Sequence, residues 1–192
     1  MLRIKSVGWL VWCGVGLLLV ACAHRAPTFS PTAVPDGKST IFYGRFTVGH
    51  EWAFHNELAL WLQNVETRKN LYIYFDANHP VYAVRAAAGC YRIVGFVGVN
   101  RIHEIEGRHE YQSRQAALLV APFTAPARVP VYLGDFAGQA TFDGAMMEWQ
   151  VNSCSNNFAD TTAEFRKEYP NLGSAPVTSR WRLLLDRSSH LE

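Results

Sequence analysis

Three consecutive segments decide the fold class: Glu57-Leu58-Ala59-Leu60-Trp61-Leu62-Gln63-Asn64-Val65, the polar Glu66-Thr67-Arg68-Lys69-Asn70, and Leu71-Tyr72-Ile73-Tyr74-Phe75. Leu58, Leu60 and Leu62 alternate with Ala59, Trp61 and Gln63, and Leu71, Ile73 and Phe75 alternate with Tyr72 and Tyr74. A side-chain period of two marks a strand, because successive Cβ atoms point to opposite faces. Two such runs around a polar turn read as an antiparallel hairpin. Both runs carry apolar side chains on each face, which predicts a central place in a sheet or a second face covered by something else.

Outward from this hairpin the same signal recurs. Runs rich in aromatic and β-branched residues at Ile41–Val48, Val81–Arg85, Cys90–Val99, Ala116–Val120, Val131–Phe136, Met146–Asn152 and Val177–Leu184 predict further strands. Gly95 and Gly98, inside the longest of them, predict a bulge or a close backbone approach. Asn100–Gln115 is the most charged part and reads as an excursion between strands. A helix is expected only late in the chain, where Asp160 or Thr161 is placed to cap it and Glu164 completes a capping box with Thr161. Phe165 and Tyr169 then share a face, and Pro170 ends the helix. The expected architecture is mainly β: an antiparallel β-sandwich over residues 40–192 with one short helix near residues 160–169.

The N-terminus has a different character. Arg3 and Lys5 precede an apolar run, Val7–Val20, too short to span a bilayer comfortably, and Leu19-Val20-Ala21-Cys22 closes it. This pattern resembles the lipobox of bacterial lipoproteins. The resemblance implies a signal peptide over residues 1–21, acylation of Cys22, and insertion of the acyl chains in a membrane as a stable anchor. Residues 22–39 carry Pro27, Pro31 and Pro35 and few large apolar residues, as suits an extended linker. At about 3 Å per residue it reaches up to about 50 Å. Ala23 is not the aspartate that retains many such lipoproteins in the inner membrane, so the expected location is the outer membrane, facing the periplasm.

Loss of the signal removes Arg3 and Lys5 and changes the formal charge from +2 to zero, with 16 acidic residues balanced by an equal number of basic ones. Without a basic field or a Lys/Arg run, nucleic acid is not an expected partner. Of the 4 cysteines, Cys13 leaves with the signal and Cys22 carries lipid. Cys90 and Cys154 remain, with no CxxC partner for a metal, and an oxidising compartment favours a disulfide between them. Such a long loop would stabilise the fold by roughly 4 kcal/mol in the chain-entropy model.

The run Gly89-Cys90-Tyr91-Arg92-Ile93, the later Val131-Tyr132-Leu133-Gly134-Asp135 and the helix ending at Tyr169-Pro170 are similar to small bacterial lipoproteins with a prealbumin-like or immunoglobulin-like sandwich. The likeness covers Thr40 to Leu172. It implies a fold and transfers no catalytic residue.

Motifs for chemistry are sparse. His50-Glu51-Trp52-Ala53-Phe54-His55 misses the zinc-protease pattern HExxH by one residue, which would turn the histidines about 140° apart on a helix. His103 and His109, among Glu104, Glu106 and Glu110, are weak candidates for metal ligands within a charged loop. No GxSxG elbow, P-loop or GxGxxG occurs, and no cofactor is expected. Trp52 and Trp181, near segment ends, are candidate exposed aromatic contacts, whereas Trp61 and Trp149 read as core. The expected function is a lipid-anchored, non-catalytic envelope protein that binds a partner protein of the envelope. The alternative is a peptidoglycan- or glycan-acting enzyme or binding module, or an inhibitor of a wall-degrading enzyme.

Overall fold

The computed structural model describes residues 36–48, 56–76, 78–100, 105–110, 120–143 and 146–188; the expected signal peptide, Cys22 and most of the linker lie outside them. The chain is mainly β, with two sheets and a few short helices. In order its elements are β1 (Ser39–Val48), β2 (Asn56–Asn64), β3 (Asn70–Tyr74), β4 (Val81–Ala87), β5 (Gly89–Asn100), β6 (Ile105–Glu110), β7 (Phe123–Ala125), β8 (Pro130–Asp143), β9 (Met146–Ser155), α1 (Phe158–Glu168), α2 (Pro170–Gly173), β10 (Thr178–Ser179) and α3 (Arg180–Ser188).

The hairpin forms as read, with Leu60 opposite Ile73 and Leu62 opposite Leu71. Its turn is built by Asn64, whose side-chain oxygen accepts from the backbone N–H groups of Glu66 and Thr67 at 3.1 and 2.8 Å. This asparagine geometry is a local substitute for ladder bonds and fixes the reversal. β2 pairs on its other side with β5, giving the order β3-β2-β5-β6, and β7 shares β5's far edge with β6. All these pairs are antiparallel. The expected irregularity near Gly95 is a bulge, where Trp61 pairs with Gly95 but Leu62 pairs with Ile93, leaving Val94 as the extra residue.

The second sheet has the order β10-β8-β1-β4, and β9 shares β8's edge with β10. It departs from the antiparallel expectation, because β8 runs parallel to both β1 and β10. The cause is where the chain changes sheets. After β7 it passes to the second sheet at the end where β1 begins, placing Val131 beside Phe42 and sending β8 in the same direction. Side chains alternate identically in parallel and antiparallel strands, so the residue pattern carried no sign of this.

One cluster of buried residues draws on both sheets. Phe42 and Phe46 of β1, Leu58, Leu60 and Leu62 of β2, Ile73 of β3, Ile93 and Phe96 of β5, and Leu133 and Phe136 of β8 belong to it. The odd-numbered side of β1 faces the other way. Ile41 and Tyr43 join Val81, Ala83 and Tyr132 under Phe165, Tyr169 and Leu172 of the α1–α2 segment. Phe165 stacks on Tyr43 with ring centroids 4.2 Å apart. The first sheet has its own outer cluster of Ala59, Trp61, Tyr72 and Val97.

Several expectations need correction. The charged excursion contains strand β6, and β7 lies between Pro122 and Pro126, where no strand was foreseen. The final strand is only Thr178–Ser179, and the chain then turns helical. Leu183 and Leu184, adjacent in sequence, both pack on the central cluster, which strand alternation would not allow. The expected single helix starts at Phe158, not at Asp160 or Thr161, and Pro170 opens another turn of helix rather than ending helical structure.

Cys90 and Cys154 are both free thiols, so the expected disulfide is absent. Cys90 stands at the start of β5, beside the end of β4 that pairs with Ser39, whereas Cys154 faces Phe136, which is level with Phe46. That difference in level is roughly 15–20 Å along the strands, far beyond the Cα spacing a disulfide tolerates.

Gly44 marks the tightest point of the second sheet. The register between β1 and β8 slips here, with Leu133 as the extra residue, and Gly44 pairs with both Tyr82 and Gly134. A Cβ on Gly44 would overlap the Gly134 carbonyl oxygen and the Tyr82 hydroxyl. Gly44→Ala is therefore expected to destabilise the fold by about 1–3 kcal/mol, the usual cost of overpacking. Thermal denaturation followed by circular dichroism checks this.

Candidate functional site

The polar chemistry of the described residues concentrates around Asp135 on β8. Its residue is buried, and alternation turns it toward the helical cover, on the same side as Tyr132 across the bulge. The Tyr132 hydroxyl donates to Asp135 Oδ1 at 2.9 Å, and the Thr161 hydroxyl lies 2.8 Å from both carboxylate oxygens. Asn157 Nδ2 donates to Oδ2 at 3.2 Å, and its backbone N–H donates to the Tyr132 oxygen at 3.0 Å. Arg45 of β1 holds Nη1 3.7 Å from Asp135 Oδ2, while its Nη2 is 2.6 Å from Glu164. Tyr43 and Thr162 add a buried hydroxyl pair at 2.7 Å.

These contacts place a carboxylate among donors from β1, β8 and the first turns of α1. A negative charge near the N-terminal turns of a helix is favoured by the orphan N–H groups there. Burial first, and then the charge of Asp135, push the Tyr132 hydroxyl well above its usual range, so that it stays a donor. With its oxygens engaged by four side chains, Asp135 clasps α1 to the second sheet. The same contacts correct the capping expectation: Asn157 is the N-cap, and it makes no side-chain cap bond. Thr161 and Glu164 lie inside the helix and reach to Asp135 and Arg45 instead.

A second polar group sits deeper. Arg180 is fully buried and donates from Nε to the carbonyl of Leu133 at 3.2 Å. The bulge at Leu133 thus receives a charged donor. The Arg180 guanidinium also lies 4.2 Å from the centre of the Trp181 ring. Burial pushes the Cys154 thiol up to about 11, with the nearby Arg180 charge opposing it only in part. Such a thiol is protonated near neutrality and is a poor nucleophile. Tyr82 is buried, and its hydroxyl has no hydrogen-bond partner among the described residues.

The residues singled out from sequence are not brought together. Cys22, Trp52 and His103 lie outside the described residues. His109 falls in β6 opposite Phe96, and its side chain is outside the description. Trp181 is not an exposed platform, since it is half-buried against Tyr132 with ring centroids 5.6 Å apart. Among the described residues no group of three or more His, Cys, Asp or Glu is placed to hold a metal ion. Among them, too, no helix is long and apolar enough to cross a membrane. Sequence reading missed Arg45, Asp135, Asn157 and Arg180. The available signal was Asp135 standing directly after the apolar run Val131–Gly134, inside an expected strand.

No protein-family model matches the chain, and no curated protein matches it. Among solved structures, a glycoside hydrolase family 15 glucoamylase from Hypocrea jecorina aligns at 15% identity and a TM-score of 0.30, over 55% of this chain and 18% of its own. The 3-chlorocatechol 1,2-dioxygenase from Rhodococcus opacus 1CP aligns at 11% identity and a TM-score of 0.21, over 67% of this chain and 65% of its own. The chain thus spans under a fifth of the first and just under two thirds of the second.

Two substitutions separate the roles of these groups. Asp135→Ala is expected to cost about 2–4 kcal/mol, because it removes several hydrogen bonds to a charge and leaves the Tyr132 and Thr161 hydroxyls buried. Tyr82→Phe removes a hydroxyl without a partner and is expected to leave stability unchanged or to raise it by about 1 kcal/mol. Urea denaturation of the two variants beside the wild type measures both.

Proposed function

We propose that this chain is a lipid-anchored cell-envelope protein in which two sheets form a β-sandwich that binds another envelope component without catalysing a reaction. The observation that carries the reading is the order of signals along the chain. Leu19-Val20-Ala21-Cys22 closes a short apolar run, a proline-spaced linker follows, and the first strand begins at Ser39. A cysteine acylated at this point would hold the folded part beside a membrane, with two or more chains giving a stable anchor.

The sandwich is supported by the cluster that takes buried side chains from both sheets. The non-catalytic part of the reading is supported by how the polar groups are used: Asp135 is engaged by Tyr132, Thr161, Asn157 and Arg45. The Cys154 thiol is held in its protonated form.

The test is chemical. Cells expressing the wild-type chain and Cys22→Ser are fed labelled palmitate and then fractionated. The wild type is expected to carry label and to sediment with membranes, and the variant is expected to carry none. Unlabelled wild type, or identical soluble behaviour of both, contradicts the anchor. Crosslinking in cells with the wild-type chain is then expected to capture an envelope protein.

A further inference from the structure

We propose that the end of the two sheets at which the linker enters is a basic surface that rests on anionic lipid headgroups of the leaflet holding the acyl anchor; this rests on the lipid-anchored reading above. The strand directions bring that end together. β1 and β8 start there, β4 ends there beside Ser39, and only Ala88 separates β4 in the second sheet from β5 in the first. Gly89 of β5 pairs with Ala125, and three residues later Arg128 donates from its backbone to Ser39 at 2.9 Å and from Nε to the Gly37 carbonyl at 2.8 Å. The hairpin turn joins the same end, because the Val65 N–H donates to the Cys90 carbonyl at 2.8 Å.

Lys38, Arg68, Lys69 and Arg128 are all exposed on these turns. Asp36 is matched by Arg85, whose Nη1 lies 3.3 Å from its carboxylate, and Glu66 is the other acid among the described residues of these turns. The charge here contrasts with a mature chain whose formal balance is zero. Backbone geometry adds an independent observation. Arg68, at φ 60°, and Arg128, at φ 67°, are the two non-glycine residues at positive φ among the described residues. Glycine or asparagine holds such a conformation with less strain, so the turn at Arg68 does not call for an arginine, whereas the Arg128 side chain also ties down Gly37. Both stand at the end of the sheets from which the linker runs back toward Cys22.

The physics suits a weak surface beside a strong anchor. A basic residue near an anionic leaflet gains about five-fold in partitioning, and attachment through Cys22 keeps the local lipid concentration high without any further contact. Exposed charges are screened over about 8 Å at physiological ionic strength, so the contact must weaken in salt.

The test uses the acylated full chain on vesicles of phosphatidylcholine alone and on vesicles with an equal share of phosphatidylglycerol, with amide exchange followed at Thr67, Arg68, Lys69 and Arg128. On the anionic vesicles exchange at these amides is expected to slow by about ten-fold or more, and added salt is expected to reverse this. The triple variant Lys38→Gln, Arg68→Asn, Lys69→Gln is expected to lose most of the difference while keeping a wild-type melting temperature, since asparagine accepts positive φ at position 68 and Arg128 keeps its bond to the Gly37 carbonyl. Failure of the wild type to attach to either vesicle overturns the anchor and this surface with it. Attachment to both with the same exchange rates overturns the basic surface alone. Equal slowing by soluble peptidoglycan fragments on neutral vesicles assigns the surface to wall glycan and likewise overturns it.

Discussion

β1 and β8 are covered on both faces, and the rest of the second sheet's surroundings keep them so. Phe42 and Phe46 look into the cluster shared with the first sheet, while Ile41 and Tyr43 look outward into a second apolar layer. An apolar outer face cannot be left in water without a loss of about 25 cal/mol for each Å² exposed. The α1–α2 segment supplies the cover through Phe165, Tyr169 and Leu172. The Asp135 clasp fixes where that cover sits.

Placing a carboxylate and a guanidinium inside such a structure requires partners for both. Asp135 finds hydroxyls, an amide and Arg45; Arg180 finds the carbonyl of the bulged Leu133 and the face of Trp181. Each polar group therefore sits at an irregularity or a helix end, where the regular ladder leaves backbone or side-chain atoms in need of a partner. Glycine provides the space. Gly134 lies where a Cβ would stand 2.6 Å from Trp181, and Gly44 lies against the Tyr82 ring.

Strand-forming segments were legible because burial on opposite faces writes a period of two into the sequence, clearest at Leu58–Leu62 and Leu71–Phe75. Apolar residues on both faces of that hairpin marked a central strand, since β2 lies between β3 and β5, and its outward Ala59 and Trp61 are buried with Tyr72. The parallel pairing of β1 with β8 was not legible, because it depends on the end at which the chain crosses between sheets. Thr161 and Glu164 misled for a related reason: a capping box and a pair of tertiary contacts use the same residue types at the same spacing. Asp135 and Arg180 were missed because charged residues are usually exposed, and only their distant partners make burial affordable. The proposed lipid attachment rests on a local motif, Leu19–Cys22, which lies outside the described residues.

Native-state hydrogen exchange over a range of sub-denaturing urea tests most directly whether the helical cover is part of the second sheet. Amides of Thr162 to Phe165 in α1 and of Phe42 to Phe46 in β1 are predicted to converge on one opening reaction with the same free energy and urea dependence. Opening of α1 at a much lower free energy, with β1 and β8 still protected, would contradict the account.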